Sequence, residues 1–346
     1  MKVLITGGAG MVGSHCAQYY AEKDCEVIVL DNLMRSKLFG FDRKSVEYNW
    51  NHLEGIKNVV RVKGDVRNDD NLTKAIGDGV DVCIHTAGQP GVRFSYENPK
   101  EDFAINAYGT LNVLEHLRGK CDGAVFIYTS TNKVYGENVD KYEFIEDKTR
   151  YRFKDVAGVS ESLPIDLTGH TPYGASKYVG DIYAQEYAHM YGMKTGVFRM
   201  SCIYGTRQFG FEDQGWISHF AISTLLKRPI VLYGDGKQVR DILYVDDLCN
   251  AFSRFAEKKS VKSGVYNIGG GPENTISLNE LLGLLEDKIG KKPEYTHDDW
   301  RPSDQRVYVS DINKVCKELS WKPQVGPQEG IGRLIDWTRE NIALFQ

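Results

Sequence analysis

Tyr173 and Lys177 stand four residues apart just after Thr171-Pro172, a capping residue and an N1 proline that open a helix. At i and i+4 the phenol and the ammonium share one helix face. An ammonium beside a phenol favours the phenolate. A phenolate can take the proton of a carbon-bound hydroxyl while hydride leaves the same carbon for an acceptor. The spacing alone is not diagnostic, because Tyr19/Lys23, Tyr96/Lys100 and Tyr233/Lys237 repeat it. Tyr19 and Lys23 lie on a helix running away from the chain's glycine-rich turn, Tyr96 and Lys100 straddle a proline, and Tyr233 precedes the turn Gly234-Asp235-Gly236. Only Tyr173 has a matching neighbour upstream. Thr129-Ser130-Thr131 closes an apolar strand at the edge where open α/β sheets bind ligands, and the Thr131 hydroxyl can hydrogen-bond the reacting oxygen. The plain alternative for Thr131 is a cap or turn residue.

The hydride acceptor is legible near the N-terminus. Residues 6–13 read Thr-Gly-Gly-Ala-Gly-Met-Val-Gly after a strand and before a helix. Gly8, Gly10 and Gly13 fit one dinucleotide spacing, and Gly7, Gly10 and Gly13 fit another. Small residues let the backbone approach a pyrophosphate at the helix N-terminus, where Met11 and Val12 offer unpaired N–H groups. Asp31 ends the second strand, 18 residues past Gly13. Its carboxylate can accept both ribose hydroxyls and would repel a 2′-phosphate, so NAD is expected rather than NADP. Arg35 is the counter-signal, and its plain reading is a solvated loop charge. Asn32, Asp65-Val66 after the third strand, Ala87-Gly88-Gln89 after the fourth, Thr129 and Met200 complete the expected cofactor wall. Asn106, in the middle of a helix, is expected to hold Lys177 through water or to make a plain helix contact.

These residues need a rigid frame, and the pattern supplies one. Apolar runs at 3–6, 26–30, 59–62, 82–86, 124–129 and 195–199 read as strands alternating with helical stretches, which implies a parallel sheet covered on both faces. Asn98-Pro99 predicts a helix to about Arg118 ended by Gly119, and Thr171-Pro172 one to about Tyr191 ended by Gly192. Residues 137–166, polar and aromatic without a period, read as an ordered excursion near the site. Beyond Arg199, short strands at 230–233, 241–245 and 265–268 mix with helices. One helix opens on the capping box Ser277-Leu278-Asn279-Glu280, and another spans about 330–340. The expected class is α/β: a Rossmann-type doubly wound parallel sheet with a smaller C-terminal α+β substrate domain. Residues 1–198 and 240–258 would form the dinucleotide domain, and 199–239 and 259–346 the substrate domain.

Composition narrows the classes. A net charge of −4 with no basic block argues against nucleic acid. No apolar run is long enough to cross a bilayer and no signal segment opens the sequence, so no membrane partner is expected. Seven cysteines without a CxxC read as reduced thiols, which suits the cytoplasm. No metal site is expected.

The motifs together resemble the extended short-chain dehydrogenases over almost the whole chain. The matching elements are the glycine loop, Asp31, Ser130-Thr131 with Val134-Tyr135-Gly136, Pro172-Tyr173 with Ser176-Lys177, Arg240-Asp241 with Val245-Asp246-Asp247, and Arg301-Pro302 with Asp304. Rarer strings narrow the likeness to the members that epimerise CDP-linked hexoses at C2. These are residues 130–136, 142–151, 205–209, 213–216 and 236–241. The resemblance implies NAD kept through a redox-neutral cycle. Thr131, Tyr173 and Lys177 would do the chemistry, and the sugar nucleotide would meet Thr131, Asn132, Lys133, Arg207, Gln208, Arg240, Arg301 and Asp304. Arg240 and Arg301 would hold the diphosphate; their plain alternative is surface pairing with Asp241 and Asp304. It also implies a homo-oligomer, dimer or tetramer, built on the two proline-started helices.

Two departures bear on the sugar. Gln89-Pro90-Gly91-Val92-Arg93 is more similar to the loop of UDP-glucuronate 4-epimerases, and Cys202 stands where many relatives carry a sugar-contacting Asn. A UDP-sugar 4-epimerase is therefore the enzymatic alternative, and a non-catalytic NAD-binding sensor the alternative of another class. A 4,6-dehydratase would need carboxylates where Asn132 and Lys133 follow Thr131.

Overall fold

The computed structural model describes residues 1–40, 44–301 and 304–346. In chain order the first half holds β1 (Lys2–Thr6), α1 (Met11–Ala21), β2 (Glu26–Asp31), α2 (Arg35–Phe39), α3 (Lys44–His52), β3 (Val59–Lys63), α4 (Asp69–Ile76), β4 (Val82–His85), α5 (Val92–Glu97), α6 (Pro99–Phe103), α7 (Gly109–Lys120) and β5 (Val125–Thr131). The hairpin β6 (Phe144–Glu146) and β7 (Tyr151–Phe153) precedes α8 (Pro172–Tyr191) and β8 (Lys194–Met200). Then come β9 (Cys202–Tyr204), α9 (Trp216–Leu226), β10 (Ile230–Tyr233), β11 (Val239–Tyr244), α10 (Val245–Glu257), β12 (Ser263–Ile268), β13 (Thr275–Ser277), α11 (Leu278–Ile289), β14 (Tyr295–Asp298), β15 (Val307–Tyr308), α12 (Asn313–Leu319) and α13 (Pro327–Glu340).

The central sheet runs β12-β8-β5-β4-β1-β2-β3, parallel at every junction. Its five inner strands are buried at successive positions because both faces are covered, whereas the edge strands β3 and β12 are partly exposed. Val3 and Ile5 pack with Cys16, Ala17 and Tyr20 of α1 and with Leu248 and Phe252 of α10. Leu4, between them, points to Leu72 of α4, Leu114 of α7 and Ala184 of α8. Strand order reverses at β1 between β2 and β4, which opens a crevice at their C-terminal ends, where open α/β sheets bind ligands.

Local signals set the helix ends that matter. Thr171 caps α8 by accepting from the Gly174 N–H, and Gly192 closes it in the left-handed conformation. Ser277 and Glu280 form the capping box of α11. The Pro99 helix departs from expectation. Asn98 makes no side-chain cap, and the helix is broken into α6 and α7 by a π turn at Ala104–Tyr108, ending at Cys121 rather than Gly119. The 137–166 excursion begins in the 3₁₀ stretch Asn132–Lys141 and includes the β6–β7 hairpin.

Two strands exchange the places given to them by the domain division drawn from the sequence. β12, assigned to the substrate half, pairs with β8 and extends the central sheet. β11, assigned to the dinucleotide half, pairs with β9, β13 and β15 in a small separate sheet. Both are short runs, and periodicity does not say which sheet such a run joins.

Candidate active site

A cleft of about 440 Å³ lies over the C-terminal edge of β1, β2, β4 and β5. The glycine turn forms one wall. Gly7 sits at φ +72°, and a Cβ there would come within 2.5 Å of the Ala87 N. A Cβ on Gly13 would lie 2.4 Å from the Gly7 carbonyl. These two glycines let β1, α1 and the β4 loop close on one another. Gly10 begins α1 without a side-chain cap, so the first-turn N–H groups, including those of Met11 and Val12, are left for an anion. The donor set and the open helix end fit a dinucleotide.

Asp31 lies at the rim with both oxygens already engaged, accepting from the Ala9 N–H at 2.9 Å and the Leu33 N–H at 2.7 Å. Burial raises its pKa, and those two backbone bonds oppose the rise. Its carboxylate therefore staples the glycine loop while lining the cleft, a role its spacing did not reveal. Asn32 donates to Asp65 at 2.9 Å. Although burial works against ionisation, hydrogen bonds from Arg67 and Asn32 hold the Asp65 carboxyl below its usual range. Val66, Ala87, Gly88, Gln89, Thr129 and Met200 line the same cleft.

Arg35 is not the solvated charge its loop position suggested. Its Nη2 donates to the Phe209 carbonyl at 3.1 Å and to Gln214 Oε1 at 2.8 Å, beside the Phe211 ring. Burial lowers its pKa to about 10. It ties the 209–214 loop over the cleft.

Thr131, Tyr173 and Lys177 meet on the opposite wall. Burial pushes the Tyr173 phenol up to about 12, and the Thr131 hydroxyl pulls the other way. Lys177 sits 4.3 Å from the centre of the Tyr128 ring, and burial brings its ammonium down to about 7 against the fields of Asp102 and Asp181. The expected lowering of the phenol by Lys177 is therefore not supplied by the chain's own groups. Asn106 lies behind this wall, away from the cleft lining. Its side chain accepts from the Gln89 N–H at 2.8 Å and donates to the Gln89 carbonyl, Asp102 and Ser176. Of the two roles expected for Asn106, these are direct protein contacts, and its Oδ1 and the Lys177 Nζ both lie beside Gly88.

The residues expected to meet the sugar nucleotide divide into two groups. Lys133, Arg207 and Gln208 line the cleft together with Cys202, whose sulfur accepts from Trp216 Nε1 at 3.4 Å. The Arg207 guanidinium acts on His15 of α1, whose pKa is lowered first by burial and then by that charge. Asn132 accepts from the Thr131 hydroxyl at 3.3 Å but is not part of the cleft lining. Arg240, Arg301 and Asp304 are not part of the lining either, although Arg301 pairs with Asp213, which is. Arg240 pairs with Asp304 at 2.6 Å, while Asp241, the other expected partner, is buried on Ser201 and the Gly271 N–H. Arg301 stacks 3.8 Å over the Tyr233 ring and pairs with Glu212 and Asp213. Pro302 lies outside the described residues. Arg93 is exposed, paired loosely with Glu97 and Asp213.

Sequence reasoning missed Asp102 and the clamp beneath α8. There Asp181 of α8 binds Arg199 of β8 at 2.9 Å and the Ser130 hydroxyl at 2.6 Å, all buried. Asp102 reads in the sequence as an ordinary acid in a helix's first turn, and only the fold buries it.

A doubly wound parallel sheet with an open helix N-terminus, a carboxylate ending β2 and a Thr/Tyr/Lys wall across the cleft defines a dinucleotide-dependent enzyme of the short-chain dehydrogenase class. The chain belongs to the NAD dependent epimerase/dehydratase family, whose profile matches residues 3–269. It is 40% identical to the CDP-paratose 2-epimerase of Salmonella typhi, over 98% of this chain and 99% of that protein. It is 30% identical to a UDP-glucuronate 4-epimerase of Thermodesulfobacterium geofontis, over 99% and 98%. The structure of the Thermus thermophilus UDP-glucose 4-epimerase in complex with NAD superposes with a TM-score of 0.80 at 30% identity, covering 98% of this chain and 99% of that one.

Proposed function

We propose that this enzyme inverts C2 of a CDP-linked hexose by transient oxidation to a 2-keto sugar and return of hydride to the opposite face. The observation that carries the reading is the meeting of Thr131, Tyr173 and Lys177 across one cleft from the glycine turn and Asp31. Bound there, NAD supplies the hydride acceptor and later the donor. Tyr173 takes the C2 hydroxyl proton and returns it, Thr131 holds the reacting oxygen, and Lys177 provides the positive field that the phenolate needs. Asp31 carries the adenosine ribose, and the first turn of α1 carries the pyrophosphate. The rare strings at 205–209 and 213–216 support the C2 assignment: Arg207, Gln208, Gln214 and Trp216 line the cleft. The 40% likeness to the Salmonella 2-epimerase points the same way.

Arg240 and Arg301 would serve the diphosphate by releasing Asp304 and Glu212 when substrate arrives. Charged bidentate bonds suit that exchange. The working unit is a homodimer. Phe103 and Tyr108, at the α6 end and in the π turn, expose aromatic surface, as do Tyr183 and Tyr191 on α8. Free cysteines, five of them buried, fit the reducing cytoplasm.

Incubation with CDP-, GDP- and UDP-hexoses, followed by NMR of the product, tests the reading. Inversion at C2 of the CDP sugar is expected. Inversion at C4 of a UDP sugar with C2 untouched would replace the assignment by the 4-epimerase one.

A further inference from the structure

Behind the Tyr173/Lys177 wall lies a carboxylate that the reaction as described does not use. Asp102 ends the first turn of α6 and is 1% exposed. Its Oδ1 accepts from Gln89 Nε2 at 2.7 Å and from Asn106 Nδ2 at 3.0 Å. Asn106 in turn grips both backbone groups of Gln89 and reaches the Ser176 hydroxyl at 3.1 Å, next to Lys177 in the chain. The π turn Ala104–Tyr108 leaves Asp102 and Asn106 both buried, with the Thr110 hydroxyl donating to the Asn106 carbonyl at 2.6 Å. Such turns recur at functional sites. Gly88 brings the two sides together: a Cβ built there would lie 3.2 Å from Asn106 Oδ1 and 3.8 Å from Lys177 Nζ.

Burying a carboxylate is costly unless its charge is matched. Each charged or titratable group facing Lys177 can be named. Asp181, one turn further along α8, is already matched by Arg199. His85 on β4 is kept neutral, lowered to about 3 by burial and then by Lys177. Tyr128 on β5 presents its ring, and Tyr173 stands one turn earlier on α8. Asp102 on α6 remains, and no arginine pairs with it among the described residues.

We propose that Asp102 is a positioning residue for the proton chemistry: its buried negative charge keeps Lys177 an ammonium, and its hydrogen bonds through Gln89 and Asn106 fix the loop between Lys177 and the cofactor cleft. The proposal rests on the reading that Tyr173 and Lys177 handle the substrate proton. The supporting fields run as this requires. Asp102 raises Lys177 and, in the opposite sense for catalysis, also raises Tyr173. Burial raises Asp102 itself, while Ser176, Gln89, Lys177 and Asn106 favour its ionised form.

Removing the charge without the shape therefore moves both groups down the pH scale. Asp102→Asn keeps an oxygen for Gln89 and Asn106. It should shift both limbs of the kcat/KM–pH profile toward acid by on the order of one pH unit. Asp102→Glu should restore the alkaline limb in part. A purely structural role would lower activity at all pH values without moving the limbs.

A substrate-free readout separates this proposal from the sugar assignment. In lysine-labelled protein the Lys177 ¹³Cε signal, assigned with Lys177→Met, should titrate near pH 7 in the wild type and about one unit lower in Asp102→Asn. Asp102→Ser gives the same comparison if the Asn variant does not fold. An unmoved midpoint in a folded variant overturns the proposal. So does a wild-type Asp102 ¹³Cγ signal showing a protonated carboxyl between about pH 6 and 8, which needs no variant. If the shift is found but no sugar nucleotide turns over, the proposed function fails while the Asp102–Lys177 coupling stands.

Discussion

Lys177 is buried and Tyr173 half-buried at the cleft wall, with the phenol pushed up to about 12 and the ammonium brought down to about 7. Removing the phenol oxygen should therefore abolish proton transfer and leave the frame intact. Tyr173→Phe is expected to lower kcat by roughly 10²–10⁴-fold, with NAD affinity by calorimetry and the melting temperature near wild type. Thr131→Val, which removes one hydrogen bond, should cost less. The Lys177 shift also has a stability consequence with a definite sign. Its folded pKa of about 7 lies below the unfolded value of about 10.4. Between those values the unfolded chain binds the extra proton, so stability of the unliganded enzyme rises with pH across that window. Urea unfolding of wild type and Lys177→Met should show a stability difference that grows in favour of wild type from about pH 7 to 10. A pH-independent difference would place the Lys177 pKa elsewhere. Asp31→Ala should weaken NAD binding twice over, through the ribose and through the freed Ala9 N–H, and should narrow the preference over NADP. Tighter binding of NADP than NAD by the wild type would contradict that role.

At the scale of elements, α8, which carries Tyr173 and Lys177, is held by chemistry at its middle as well as by its cap. Asp181 is shared by Arg199 of β8 and Ser130 of β5, so one buried carboxylate joins α8 to the two strands that end at the site. Asp181→Ala would leave the Arg199 charge buried and unpaired, a loss of about 3–5 kcal/mol, read as a lower urea midpoint. A loss below about 1 kcal/mol would mean water replaces the pair. The elements also show what a sequence can and cannot say. The strands of the parallel sheet are apolar on both faces and bounded by turns, so their positions were readable, as were Thr171, Gly192 and the Ser277/Glu280 box. The π turn left no mark, because an extra residue in a helix alters no residue type. Which sheets β11 and β12 join was not readable, because a short run carries no address. In the site, Tyr173 and Lys177 were legible from their spacing together with the upstream strand end Thr129-Ser130-Thr131, and Asp31 from its place after the glycine turn. The burial of Asp102 and Arg35, and the pairing of Arg240 with Asp304 and of Arg301 with Glu212 and Asp213, depend on loops that only the fold brings into contact.

At the scale of the whole molecule, the exposed rings on α6, the π turn and α8 lie on the side of the sheet away from α1 and α10. Pairing of those helices between two copies would cover Phe103, Tyr108, Tyr183 and Tyr191. Light scattering at micromolar concentration should give twice the chain mass, and Tyr183→Glu with Tyr108→Glu should give the monomer. A wild-type monomer would end the dimer proposal. The central claim concerns the reaction itself, and isotope tracing tests it most directly. A CDP-hexose carrying deuterium at C2 is incubated with the enzyme in ordinary water, and the product is read by NMR. Hydride that leaves C2 and returns to C2 keeps the label, so inverted product with most of its deuterium retained is the expected result. Inversion at C2 with the deuterium lost to water, or inversion at C4 with C2 unchanged, would contradict the account.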